Sequence, residues 1–396
     1  MCNPGRLENA GVPTGEHDGR TLAGYRCGST VVDVETADAD ANRWLAEFVS
    51  PWAEAVAPGE GLASVRLLFS EPAYQAFESA RVASVHRRVA CFALDTEVVQ
   101  RPSWSDAGRR VIADVECGCF YAIRGSHVDI VARPGRRRNR IGLLRVVREI
   151  LVAAAYASDR IMDVHAAGFT LGQQAVLIVG AKAAGKTTLL AHALSSGRAS
   201  LLANDRVLID ATREPEEVAG VPTFVSVRAD TVRRFPALRQ SATERPGILH
   251  SDELAADGPC LAEDDAARRV HTLSPAQFAA RLGAGHVGHA PLAAVIFPDI
   301  GSATGTWAFE PISSVEGSSL LRQSRYGART GGDRRTIFGE LSALTACGTE
   351  QEAIAEGLAT RTPMFRCRLG PEAYRDGAGA WLRALEQHVA DWAPGA

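Results

Sequence analysis

The chain has 396 residues, 46% of them hydrophobic and 22% charged, with a formal net charge of −3 at pH 7. That length accommodates two or three domains with a substantial core, and the slightly negative balance excludes an overall basic field that would draw the protein to nucleic acid. The first residues lack the basic-then-apolar order of a signal peptide, and no run approaches the roughly 18–20 apolar residues of a membrane helix, so a cytoplasmic protein without a membrane partner is expected.

Residues 1–25 are rich in Gly, Pro and Asn with few apolar anchors and read as a flexible leader. Residues 26–135 carry short β-rich runs at Thr30–Val34, Ser64–Phe69, Val111–Val115 and Val128–Val131, with a helix over Ala41–Phe48. Gly, Pro or charged turns separate them, which predicts a smaller N-terminal α/β domain on a mostly antiparallel sheet. Eight cysteines are scattered along the chain, and Cys117-x-Cys119 is the close pair. In a strand both thiols would face one side. With no second pair or His cluster at zinc spacing, they read as reduced structural thiols.

The run Arg133–Arg140 reads as a solvated hinge, because no aromatic residues interleave with its arginines as a nucleic-acid patch would need. A helix follows over Ile141–Ser158, with Leu143, Leu144, Val147, Ile150, Leu151 and Ala154 on one stripe. It opens a nucleotide-binding domain spanning 141–396. The apolar strand Ala175–Val179 runs into Gly180, Ala181, Lys182, Ala183, Ala184, Gly185, Lys186, Thr187 and Thr188. This is G-x-x-x-x-G-K-[ST] between a strand and a helix carrying Leu189, Leu190, Ala193 and Leu194, the setting of a phosphate-binding loop. Backbone N–H groups and a helix N-terminus cradle a triphosphate there, with Lys186 on the β- and γ-phosphates and the Thr187 hydroxyl on Mg²⁺.

Beyond the loop, Ser200–Ile209 reads as one apolar strand interrupted by Asn204-Asp205. Further strands are expected at Phe224–Val227, Ala293–Phe297 and Met364–Leu369, a surface insertion at Leu238–Arg269, and a closing helix over Ala373–Trp392. His286 and His289 lack a third ligand nearby and read as part of a flexible Gly-rich loop. Arg228, Arg233 and Arg234 either face an anionic acceptor or form a solvated helix face. Arg322, Arg325, Arg329, Arg334 and Arg335, with Gly331-Gly332, form either a mobile loop over phosphate or a solvated stretch.

Three features in order, His165 before the loop, the loop itself, and Leu202-Ala203-Asn204-Asp205-Arg206-Val207 after it, carry a resemblance. The segment Asp163–Asp210 resembles the bacterial HPr serine kinase/phosphorylase family, whose nucleotide core is like that of phosphoenolpyruvate carboxykinase. Met364–Gly370 and the helix after it extend a looser likeness. The resemblance implies an α/β, HPr-kinase-like P-loop core with a mixed sheet. It implies ATP and Mg²⁺ as cofactors, with Thr187 and Asp205 on the metal. It also implies Asp205, His165 and Lys186 as catalytic residues. From the residues alone, His165 is either a buried histidine satisfied by hydrogen bonds or a group orienting phosphate or acceptor. Arg206 either binds phosphate or pairs with a surface carboxylate, and Lys182 either contacts phosphate or points to solvent.

The chain departs from the family pattern at Asn204, where the family has the carboxylate expected to take the acceptor's proton. An amide cannot be a general base. Lys182 and Ala183 replace a small polar residue and Gly, and Tyr326–Thr330 only faintly echoes the family's Gly-Arg-Asn segment. The expected function is an ATP-dependent kinase acting on a hydroxyl of a peptide, protein or small molecule. Relatives include tailoring kinases of ribosomally made peptides, and relatives often form homo-oligomers. The alternatives are a P-loop NTP hydrolase, with Leu292–Asp299 as a Walker-B-like strand, and a non-catalytic nucleotide-binding sensor.

Overall fold

The computed structural model describes residues 15–17, 20–59, 61–84, 86–94, 97–133, 139–155, 160–238, 270–300, 307–326, 350–370, 372–373 and 377–392. In chain order the first half comprises β1 (Gly15–His17), β2 (Arg20–Cys27), β3 (Thr30–Thr36), α1 (Ala39–Val49), β4 (Glu54–Val56) and β5 (Ala63–Phe69). Then come α2 (Glu71–Ala83), β6 (Arg87–Leu94), β7 (Glu97–Asp106), β8 (Arg109–Asp114), β9 (Cys119–Arg124) and β10 (His127–Ala132). They form a ten-stranded sheet in the order β1-β2-β3-β5-β10-β9-β8-β7-β6, with β4 on β2. The pairs β3–β5 and β5–β10 are parallel and the other described pairs antiparallel, so the sheet is mixed. The Asp38 carboxylate accepts from the Ala41 N–H and caps α1, whose Trp44, Leu45, Phe48 and Val49 are buried.

Two expectations change here. From residue 15 onward the supposed leader supplies β1 and β2, because alternate residues of β2, Ala23 and Tyr25, are fully buried. Cys117 lies in the turn before β9 rather than in a strand, yet both it and Cys119 are buried in the same apolar cluster.

Helix α3 (Asn139–Ala155) carries the expected stripe, but Val146 and Val152 are buried as well. The reason is its position: it shares one apolar cluster with the first sheet and with Ile161, Leu208 and Val221 of the second. Most of the run expected to be a hinge, residues 134–138, lies outside the described residues. Its ends are held, Arg133 stacking on Tyr74 and Arg140 pairing with Asp38 at 3.0 Å.

The second half comprises β11 (Ile161–Val164), β12 (Ala166–Leu171), β13 (Gln174–Val179), α4 (Lys186–Leu194), β14 (Ala199–Ala203), β15 (Arg206–Asp210), β16 (Glu217–Val221), β17 (Val225–Arg228) and α5 (Ala229–Arg234). It continues with β18 (Val270–Leu273), α6 (Pro275–Arg281), β19 (His289–Ile300), β20 (Trp307–Pro311), α7 (Ser314–Gln323), α8 (Glu350–Arg361), β21 (Met364–Leu369) and α9 (Gly379–Ala390). Nine strands form a second mixed sheet, in the order β11-β15-β16-β19-β13-β12-β14, with β21 on β19 and β20 on β21. The long β19 pairs antiparallel with β16 at its start and parallel with β13 and β21 further on. Strand β13 is therefore interior, and its Ala175–Val179 core is buried.

The expected single strand over Ser200–Ile209 is two strands. β14 pairs with β12 at one edge, whereas β15 lies between β11 and β16, so Asn204-Asp205 is the crossover between them. β14 passes so close to β16 that a Cβ on Gly220 would lie 1.9 Å from the Leu202 carbonyl oxygen. The closing helix starts at Gly379, not Ala373, and buries Trp381, Leu382 and Leu385. Residues 239–269, most of the expected insertion, lie outside the described residues, as do 327–349 with Arg329, Arg334 and Arg335.

Two stability outcomes follow from this packing. Gly220→Ala forces β14 and β16 apart and should lower unfolding stability by at least about 2 kcal/mol in urea denaturation; an unchanged midpoint would contradict the close approach. On α4, His192 Nδ1 accepts from Trp381 Nε1 at 3.1 Å, and burial, with Arg234 adding to it, pushes the imidazole down to about 4. The folded value lies below the unfolded one, so this stability is complete above about pH 6.5 and lost as pH falls toward 4. Between pH 7.5 and 5 the loss should be on the order of 2 kcal/mol. His192→Gln, which keeps an acceptor for Trp381, should flatten that part of the acid limb.

Candidate functional site

The Gly180–Thr188 segment follows the interior strand β13. Ala183 and Gly185 both take left-handed backbone, φ 69° and 90°, and Gly185 is the N-cap of α4. The chain thus wraps tightly before the helix starts, leaving the first N–H groups of α4 directed back into the loop. The Lys186 side chain is buried, and its ammonium donates to the Gly180 carbonyl at 2.7 Å and the Ala181 carbonyl at 3.1 Å. Lys182 is exposed on the same loop.

The third neighbour of the ammonium is His165 Nε2, at 2.8 Å. An ammonium has only protons to offer, so Nε2 accepts and the ring's own proton is assigned to Nδ1. Nδ1 lies 3.3 Å from Asp205 Oδ1, a contact between a neutral ring N–H and a carboxylate outside linear hydrogen-bond geometry, and Asp205 Oδ2 accepts from the Tyr326 hydroxyl at 3.3 Å. Carboxylate, imidazole and ammonium therefore form a chain from the β14–β15 crossover to the loop. His165 sits where β11 ends: its N–H donates to the Ser324 carbonyl, and the Tyr326 N–H donates to Asp163.

Arg206 corrects both of its expected roles. It is 2% exposed and binds Asp163 at 2.9 Å and Glu149 at 2.8 Å, both buried carboxylates, so it faces neither phosphate nor surface. Burial opposes its charge, but Asp163 and Glu149 more than offset this and push it up. Its guanidinium also lies 4.4 Å from the centre of the Tyr326 ring.

Asn204 has a structural task. Its Nδ2 donates to the Phe224 carbonyl at 3.2 Å and its Oδ1 accepts from the Thr223 hydroxyl at 3.0 Å. An aspartate there has no proton for Phe224. At the α4 start, the Thr188 and Thr231 hydroxyls are 2.9 Å apart, fixing the beginning of α5 against the loop's helix.

These groups surround one cavity of about 560 Å³, within the range of small-molecule sites. His165, Lys182, Ala183, Gly185, Lys186, Thr187, Thr188 and Asp205 line it, whereas Gly180, Ala181 and Ala184 shape the loop behind. The remaining wall comes from Ile141, Leu144, Arg145 and Arg148 of α3, from Asn204, from Thr223, Phe224 and Ser226, and from Arg228, Asp230, Thr231 and Tyr326. The α3 contribution escaped the sequence reading, although Ile141, Leu144, Arg145 and Arg148 share one helical face, and two arginines interrupting an apolar helix were the available signal. Tyr326 was noticed only as part of a faint echo. Among the described residues no three His, Cys, Asp or Glu side chains cluster as a metal cage.

The other candidates lie elsewhere. His286 is pushed down to about 4 by burial, and His289 sits 3.8 Å from Glu217. Their Gly-rich segment is tied down: Gly285 and Val287 bond to Leu201, and Gly288 accepts from Gly220. Cys117 Sγ lies 3.1 Å from Arg145 Nη1, which also binds Asp114 at 3.0 Å, and burial raises the Cys119 thiol well above its usual range. Neither a protein-family model nor a curated protein matches the chain.

Asn204→Asp tests the structural assignment. It should cost about 1–3 kcal/mol of stability, because the Phe224 carbonyl loses its donor and meets a carboxylate oxygen. Unfolding midpoints at pH 7 measure this, and an unchanged value would refute the role given to the amide.

Proposed function

We propose that the protein is an ATP-dependent kinase of the HPr-kinase-like kind, transferring the γ-phosphoryl group to a hydroxyl of a peptide, protein or small-molecule acceptor. The observation that carries this reading is the convergence of Lys186, Thr187 and the Asp205–His165 pair on one cavity at a loop of phosphate-binding sequence. Phosphoryl transfer asks little covalent chemistry of a protein; it needs charge neutralisation and alignment of acceptor and phosphate.

Lys186, ready-placed at the loop, neutralises phosphate oxygens by exchanging one of its carbonyl partners for them. Asp205 accepts the acceptor's proton as the new oxygen–phosphorus bond forms and the bond to the bridging oxygen of the leaving diphosphate breaks. Asn204 has no part in this, its amide being committed to Thr223 and Phe224. His165 lies against Asp205 through Nδ1, at 3.3 Å, while its Nε2 steadies Lys186. One carboxylate and one hydroxyl, Asp205 and Thr187, fit Mg²⁺, which takes one or two carboxylates plus substrate phosphates and not a full protein cage. When bound, the ion supplies charge neutralisation on the phosphate chain.

The decisive assay incubates the protein with Mg-ATP, with and without hydroxyl acceptors, and follows both transfer and hydrolysis. Lys186→Ala and Asp205→Ala should each lower transfer by about 10²-fold or more while the proteins stay folded. Turnover indifferent to every acceptor would identify a hydrolase instead. Binding without turnover, unchanged in Asp205→Ala, would identify a sensor, the reading that the absence of a carboxylate at Asn204 supports.

A further inference from the structure

Five cationic side chains line the cavity, Arg145, Arg148, Lys182, Lys186 and Arg228, against the two carboxylates Asp205 and Asp230. Their partners divide them. Arg145 and Arg101 together face Asp114 and Glu116, a network neutral in itself. Arg148 and Arg206 likewise face Glu149 and Asp163. Lys186 is balanced by Asp205 through His165, and Asp230 pairs with Arg233. Lys182 and Arg228 remain, the cavity cations whose side chains make no ion pair or hydrogen bond among the described residues.

Lys182 belongs to the phosphate loop, where a phosphate chain meets its charge. Arg228 does not. It ends β17, on the wall with Ser226 and Thr231, and that wall is fixed to the site at two points. Thr231 meets Thr188 at the start of α4, and Thr223 with Phe224 is bonded to Asn204, next to Asp205. An exposed guanidinium without an ion pair among the described residues, on a cavity that Lys182 and Lys186 also line, raises the potential there. An entering anion reverses that balance, because Arg offers a planar fork that matches a carboxylate or phosphate with two hydrogen bonds.

Resting on the kinase reading above, we infer that Arg228 selects the acceptor, and that the acceptor is a hydroxyl compound carrying its own anionic group, carboxylate or phosphate, bound by Arg228 beside the phosphate loop. The acceptor's negative charge then supplies what the fold leaves unbalanced, while Asp205 serves its hydroxyl.

Isothermal titration of the full chain tests this with a magnesium-bound, non-hydrolysable ATP analogue and three primary alcohols: glycerol, glycerate and glycerol 3-phosphate. The alcohols are titrated with and without the analogue, so the anion preference is measured even if no nucleotide binds. Lys186→Ala should weaken the analogue about tenfold or more, and Arg228→Ala less than about threefold. Failure of the wild-type chain to bind the analogue counts against the kinase reading, not against the anion site. Glycerate, glycerol 3-phosphate or both should bind about tenfold or more tighter than glycerol. Arg228→Ala should erase that difference and Arg228→Lys keep part of it, and the tighter of the two anions names the group. Equal binding of all three alcohols, no measurable binding included, overturns the inference. So does a preference that survives Arg228→Ala, or loss of the analogue in Arg228→Ala, which would make Arg228 a nucleotide ligand.

Discussion

The candidate site depends on one buried charge, the guanidinium of Arg206. It binds Asp163 of β11 and Glu149 of α3, and it covers the ring of Tyr326. Arg206 and each of these neighbours lie at or within two residues of something that lines the cavity: Asp163 precedes His165 by two, Glu149 follows Arg148, Tyr326 lines the cavity itself, and Arg206 follows Asp205. A buried cation with two buried carboxylates is weak evidence for net stability, since desolvation consumes most of what attraction returns. It does punish every arrangement that leaves one member unpaired, by about 3–5 kcal/mol. The cluster therefore holds β11, β15, α3 and the Ser324–Tyr326 segment in one relation, and the Asp205–His165–Lys186 chain inherits its geometry from that relation.

The crossover at Asn204-Asp205 is the second constraint. Chain continuity requires β14 and β15 to be neighbours in sequence, while the sheet places them in different pairings, so two residues must carry the backbone across. Asn204 anchors that crossing by one donor and one acceptor bond to a single loop, which uses both ends of an amide. Asp205, 32% exposed at its side chain, is left to face the cavity. Asn204 is, in this fold, a residue whose two hydrogen bonds a carboxylate could not make together.

Local signals were legible where the physics is local. The strand β13, the Gly-bounded turn after it and the apolar face of α4 could all be read, since turn chemistry and periodicity act within a few residues. So could β21, which matches Met364–Leu369 residue for residue. What could not be read depends on distant partners. The split of Ser200–Ile209 into two strands is set by β12 on one side and by β11 and β16 on the other. The burial of Arg206 rests on Glu149, 57 positions away. The place of Arg145 and Arg148 on the cavity was not legible, because nothing in the sequence says that α3 packs between the two sheets.

That enclosure gives α3 a double role. Its apolar residues share a cluster with the first sheet, while Arg145 and Arg148 border the cavity beside the loop. Arg145 is held by Asp114 at the end of β8 and by Cys117 Sγ in the turn before β9, so the first sheet reaches the site through this guanidinium. Burying that ion pair costs desolvation that an apolar pair would avoid. Arg145 is nonetheless positioned by a sheet that, among the described residues, contributes no cavity-lining residue of its own. The N-terminal sheet therefore braces, through α3, one wall of the cavity that Lys186 and Asp205 also line.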